Sequence, residues 1–187
     1  MHGIAMAVAL SAAAGVAGAQ TIGDLFVEVE SNDTLATANF IGTFEADGGA
    51  IAIDGFKGIG DVDSFEFALA QNATLVLAQA GAVPISSDTQ LQLVDSAGTI
   101  IEFDDDDGPG LLSAIVIENL AAGNYFIGIS SFPDGGSTSL FDGLDDAGAP
   151  LDDEFSYKIG LAANVVPAPG ALVLVGLGGI VAGRRRR

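Results

Sequence analysis

Between Ala50 and Ile159 the apolar residues of this chain recur at every second position, in short runs spaced roughly ten residues apart. Successive side chains of a strand point to opposite faces, so a period of two builds one apolar and one polar face and is incompatible with an amphipathic helix. In Asp63–Leu69 the apolar face is Phe65, Phe67 and Leu69. Similar runs follow at Thr74–Ala78, Thr89–Val94, Thr99–Phe103, Ala114–Glu118, Tyr125–Ile129 and Phe155–Ile159, and Ala50–Ile53 adds one more. Turn clusters at Asp95–Gly98, Asp107–Gly110 and Ala121–Asn124 separate them. About eight short strands without long helical patterns between them predict an all-β domain, an antiparallel sandwich or jelly roll. A short helical turn is expected at Thr34–Ala38, and a long acidic loop from Pro133 to Asp153.

The two ends read as processing segments rather than fold. Residues 4–19, IAMAVALSAAAGVAGA, are apolar and close on small residues, the pattern of an export signal cut after Ala19. Its n-region carries only His2, and a buried Ala-rich helix is the other reading of the run. At the C-terminus an uncharged stretch from Val165 to Gly183 precedes Arg184–Arg187. Roughly 20 apolar residues span a bilayer, so this segment is marginal as a membrane helix, and the arginines place its end on the cytoplasmic side. The expected organisation is a signal over 1–19, one β domain over 20–164 and a sorting or anchor segment over 165–187.

Charge and residue usage exclude several classes. All 25 acids lie between Asp24 and Glu154, and outside the terminal Arg184–Arg187 the only Lys or Arg residues are Lys57 and Lys158. Such a surface repels phosphate backbones, so no nucleic acid is expected as a partner. There is no Cys, and the single His lies in the signal, so the mature chain cannot assemble a Ser-His-Asp or Cys-His site. Without Trp, and with only Tyr125 and Tyr157 as tyrosines, it offers few flat surfaces for stacking sugars beside a carboxylate pair. A non-enzymatic protein is expected.

Oxygen ligands are the chemistry that remains. Glu28, Glu30 and Asn32 alternate, so on an extended segment they project to one side, and Asp33 adds a fourth donor. Asp61 and Asp63 likewise share a face. Carboxylates held together repel unless a cation lies between them, and all-oxygen sites favour Ca²⁺. The alternative for Glu28–Asp33 is a solvated linker in which Asn32 or Asp33 caps a helical turn. The run Asp104–Asp107 reads first as a solvated loop and secondarily as another cation site. Asp142, Asp145, Asp146, Asp152, Asp153 and Glu154 are weaker candidates of the same kind.

Two resemblances sharpen this reading. The tail, with Val166, Pro167, Ala168 and Pro169 followed by a Gly-rich apolar helix and an Arg cluster, resembles the PEP-CTERM sorting signal, although Ala168 stands where that motif has Glu. The resemblance implies a membrane-anchored precursor that crosses the inner membrane, is processed by an exosortase-type membrane protease and reaches the cell surface or extracellular matrix. A plain tail anchor is the alternative. The middle of the chain resembles the bacterial pre-peptidase C-terminal (PPC) domain over about residues 26–162. The matching elements are Val27–Thr34, Leu35–Ala38, Gly60–Phe65, Asp88–Asp95, Asp104–Gly108 and Leu120–Ile129, in that order. The resemblance implies a jelly-roll-type sandwich without catalytic activity, which binds calcium in some members and collagen or other polymers in others. In the calcium-binding members the ligands come from the opening acidic stretch and the later Asp pair, which carries the role onto Glu28, Glu30, Asn32, Asp33, Asp61 and Asp63. An extracellular polysaccharide or protein polymer is then the expected partner. A targeting domain for a separate secreted peptidase, or a coat or matrix component, are the alternatives.

Overall fold

The structure is a computed structural model and describes residues 24–84, 86–134 and 153–165. The expected signal (1–19), the motif at Val166, Pro167, Ala168 and Pro169 with its apolar helix, and most of the acidic loop before Asp153 lie outside these residues. Ten strands run through the described residues: β1 (Asp24–Val27), β2 (Asn39–Phe44), β3 (Gly49–Lys57), β4 (Asp63–Leu69), β5 (Ala73–Val83), β6 (Thr89–Asp95), β7 (Ile100–Asp104), β8 (Ala114–Leu120), β9 (Gly123–Ser131) and β10 (Phe155–Val165). No described helix is long and apolar enough to cross a membrane.

Two five-stranded sheets result, ordered β1-β3-β10-β5-β8 and β2-β4-β9-β6-β7. The chain changes sheet at each of its first four strands, so β3 returns beside β1, and β4 beside β2, in the same direction. These two pairs are parallel and all the others antiparallel. The sheets are therefore mixed rather than purely antiparallel. Period-two patterning specifies which face a residue occupies and is blind to the direction of the neighbouring strand.

The apolar faces meet in one core. Ile51, Ile53, Leu75, Ile115, Ile159 and Leu161 come from the first sheet; Ile41, Phe65, Phe67, Leu91, Leu93, Ile127 and Ile129 from the second. Phe67 stacks on Tyr125 with ring centres 5.7 Å apart, and Phe44 meets Phe67 edge-on at 6.0 Å. Each such side chain contributes roughly 1.5–3 kcal/mol on burial.

β2 departs from strict alternation. Its buried residues Ile41 and Phe44 are three apart because the register against β4 slips between Phe40 and Gly42. A bulge of this kind re-aims the side chains that follow it. β1 is only four residues long, at a sheet edge.

The link from β1 to β2 crosses one end of the sandwich, where β3 finishes and β4 and β10 begin. Glu28 extends the β1 pairing by donating its N–H to Asp54 O at 3.0 Å. Asn39 clamps Val29, its Oδ1 accepting the Val29 N–H at 2.8 Å and its Nδ2 donating to the Val29 carbonyl at 2.9 Å. Ser64 then donates its N–H to Asn32 O at 3.0 Å, fastening the link to β4. Where a short helical turn is expected, Thr34–Thr37 forms a single turn closed by the Thr37 N–H on Thr34 O at 3.0 Å.

Candidate metal centre

This fastened link brings five carboxylates from distant stretches of sequence to one place. Glu28, Glu30 and Asp63 each present an oxygen within 4.8 Å of the other two, and Glu30, Asp33 and Asp61 do the same. Two Ca–O bonds of about 2.4 Å span at most about 4.8 Å, so any two members of a group lie close enough for one ion to bridge them. Glu30 is common to both groups. The six residues named from sequence as ligands thus converge, as two triplets that share Glu30, with Asn32 beside them.

Local hydrogen bonds fix each side chain. Glu28 Oε2 accepts the Phe56 N–H at 2.7 Å, while its Oε1 accepts Asn32 Nδ2 at 3.1 Å and the Tyr157 hydroxyl at 3.3 Å. Asp61 closes the β3–β4 turn: Oδ2 accepts the Gly58 N–H and Oδ1 the Val62 N–H, both at 3.0 Å. Asn32 is fully buried and its Oδ1 has no hydrogen-bond partner.

Asp63 is the outlier. It is fully buried, on the inward face shared with Phe65 and Phe67, and neither carboxylate oxygen has a hydrogen-bond partner of normal geometry. Burial, reinforced by the charge of Glu28, pushes its carboxyl up to about 10. Burial also raises Glu30, with Asp61, Glu28 and Asp33 adding to the effect. Tyr157 is held far above the usual phenol range by burial and by Asp63 and Glu28. A buried polar group without a partner is unfavourable, and a buried unpaired charge more so. Either a cation or protons would neutralise such a group.

Tyr157 and Lys57 also belong to this end of the sandwich and escape a reading based on acid spacing. Lys57, the last residue of β3, is fully buried; its Nζ donates to Gly58 O at 2.9 Å and Asp153 O at 2.8 Å, and lies 5.8 Å from the Phe155 ring centre. Burial pushes its ammonium down, while Asp61, Asp63, Asp153 and Asp134 pull it up.

The Asp104–Asp107 run divides by role. Asp104, the last residue of β7, accepts the Ala114 N–H at 2.6 Å and the Asp107 N–H at 3.2 Å. Asp105 and Asp106 instead meet Asp88 from the start of β6, their oxygens within 4.8 Å of one another. Asp88 is raised by burial, then by Asp105 and Asp106. Asp153 and Glu154 are exposed, and Asp142, Asp145, Asp146 and Asp152 lie outside the described residues.

Residues 61–131, from the β3–β4 turn to the end of β9, match the bacterial pre-peptidase C-terminal domain family. Among solved structures the chain is similar to a periplasmic inhibitor of g-type lysozyme, PliG, from Aeromonas hydrophila. The identity is 12%, the coverage 76% of this chain and 99% of that one, and the TM-score 0.44. It is also similar to the pre-peptidase C-terminal domain of a collagenase from Bacillus anthracis, at 14% identity, 68% and 94% coverage and a TM-score of 0.39. No curated protein matches the chain.

Proposed function

We propose that this chain is an exported, non-enzymatic β domain whose acid-rich end binds Ca²⁺ as a structural staple and whose outer surface binds an extracellular polymer. Asp63 carries the calcium reading. A carboxylate buried without a hydrogen bond of normal geometry, facing Glu28 and Glu30, is costly to the bare fold and is accounted for by an ion. The residues fit the group: five carboxylates and the amide oxygen of Asn32 are hard oxygen donors, suited to Ca²⁺ rather than to a metal that prefers nitrogen or sulfur. Glu28, Glu30 and Asp63 would hold one ion and Glu30, Asp33 and Asp61 a second. When bound, calcium supplies charge neutralisation that joins the β1–β2 link to the β3–β4 turn. The protein's own part is to hold those oxygens ready, through Phe56 N–H and Tyr157 on Glu28 and through Gly58 and Val62 N–H on Asp61.

The outward face of the first sheet supports binding rather than chemistry. Leu25, Val27, Phe56 and Val83 are exposed there around the Lys158–Asp54 ion pair. The cross-strand register sets Val27, Asp54, Lys158 and Gly81 in one row, and Phe56, Ser156 and Val83 in the next. Export rests on the run closing at Ala17, Gly18 and Ala19, and exosortase-type processing on Val166–Pro169 and the arginine tail.

Thermal melts in excess EDTA and in millimolar Ca²⁺ test the calcium reading. Binding at ten times Kd stabilises by about 1.4 kcal/mol, so the melting temperature should rise by several degrees with Ca²⁺. An unchanged melt overturns it. Intact mass of the mature protein tests processing: retention of Arg184–Arg187 overturns it.

A further inference from the structure

Lys57 raises a question that the calcium reading leaves open: why a site built to attract cations should have a lysine buried beside it. Its ammonium is not an incidental surface charge. Lys57 continues the inward face of β3 after Ile51 and Ile53 and is as fully buried as they are. Among the described residues its hydrogen bonds go to backbone carbonyls, Gly58 O and Asp153 O. The acids whose charges favour its ammonium are Asp61, Asp63, Asp153 and Asp134, in that order. Two of those four are among the proposed ligands. The connection to them is short: Gly58, which accepts from Lys57, donates its own N–H to Asp61 Oδ2.

We propose that Lys57 is the affinity-limiting residue of the metal centre, a resident positive charge that opposes ion binding and keeps the calcium affinity low. This rests on the calcium reading above. A fixed charge inside the protein acts on an ion through an effective dielectric of about 20 rather than about 80, so its removal is felt strongly at the site. A weak affinity suits a module working where calcium is plentiful, since extracellular sites often have Kd of about 10⁻⁴–10⁻³ M.

A purely structural Lys57 predicts the opposite outcome. If its work were only to hold Gly58, and through it Asp61, any substitution that loses the two hydrogen bonds would weaken calcium binding. The test is calorimetric titration of Ca²⁺ into the full chain and its Lys57→Gln, Lys57→Met and Lys57→Arg variants. Tb³⁺ titration, followed by luminescence excited through the nearby Tyr157, accompanies it. Lys57→Gln keeps a donor and Lys57→Met does not, yet both should bind Ca²⁺ at least tenfold more tightly, while Lys57→Arg stays near wild type. Coulomb energy scales with the charge of the ion, so a tenfold gain for Ca²⁺ becomes about thirtyfold for Tb³⁺. Equal or weaker binding by both neutral variants, with wild-type binding intact, overturns it while the calcium reading stands. No binding by the wild type removes the calcium reading and this proposal together.

Discussion

Replacing Asp63 by Asn should make the ion-free protein more stable and, at the same time, deaf to calcium. Without an ion, Asp63 must either ionise in a buried place with no hydrogen-bond partner or take up a proton. Its carboxyl is raised from 3.8 to about 10, so near neutrality the folded state keeps the proton and the unfolded state does not. Holding it at a solution pH of about 7.5 costs about 5 kcal/mol, at about 1.36 kcal/mol per pH unit above 3.8. Asn is nearly isosteric and needs no proton. Its amide still enters a site with few partners, which costs about 1–3 kcal/mol. The net gain is then about 2–4 kcal/mol, or roughly 6–12 °C at about 3 °C per kcal/mol for a chain of this size.

The assay is a pair of melts for wild type and Asp63→Asn, one in excess EDTA and one in millimolar Ca²⁺. The variant should melt higher than wild type in EDTA and should lose most of the calcium-induced rise, because an amide supplies no charge to the ion. Most core substitutions destabilise, so a gain at a fully buried position is a demanding outcome. A variant that melts below wild type in EDTA while keeping the full response to Ca²⁺ would refute the reasoning.

Three further outcomes follow from the same geometry. The raised carboxyls of Glu30, Asp63, Asp88 and Asp105 stabilise the ion-free fold while protonated and lose that contribution as pH rises through their folded values. In EDTA the melting temperature should therefore fall from about pH 5 to 8, and the additional rise produced by Ca²⁺ should grow over the same range, as scanning calorimetry would show. Glu30→Gln removes the carboxylate common to both triplets and should abolish binding, whereas Asp33→Asn leaves Glu28, Glu30 and Asp63 together; calorimetric stoichiometry separates the two cases. Gly55→Ala would drive a methyl into the Tyr157 ring and Glu28, which should cost about 1–3 kcal/mol and blunt the calcium response, while Gly81→Ala, which meets nothing, should melt within about 2 °C of wild type.

The strands that could be read from sequence are those whose burial follows period two. β4 spans the expected Asp63–Leu69 because Phe65, Phe67 and Leu69 all enter the core. β2 was not legible: the slip at Gly42 places Ile41 and Phe44 three apart, and no alternation survives in Asn39–Phe44. β1 is too short to carry a pattern. Strand direction was illegible for a different reason. β1 and β3 run parallel because two crossings to the other sheet intervene, and a crossing leaves no mark on which residues are apolar. The acids were legible as two groups, Glu28–Asp33 and Asp61 with Asp63. Their division into triplets around Glu30 depends on the bend of the β1–β2 link over β4, which only the fold determines.

A stronger signal lay in the alternation itself. Asp63 precedes Phe65, Phe67 and Leu69 on one face, Lys57 follows Ile51 and Ile53, and Tyr157 lies between Phe155 and Ile159. A sequence chosen for stability alone would fill the positions of Asp63 and Lys57 with Val, Ile or Leu, since a buried charge costs more than an apolar side chain of similar volume. Each of these charges stands at the end of its strand nearest the β1–β2 link, and none stands in the middle of the core, where Ile53, Phe67 and Ile127 lie. Two charges at inward positions, both at one end of the sandwich, are the kind of broken local rule expected where stability is given up for function. The sum of acids says only that the surface is negative. The inward acid and the inward lysine, each in register with the core, say where a cation would be worth more to this protein than another leucine.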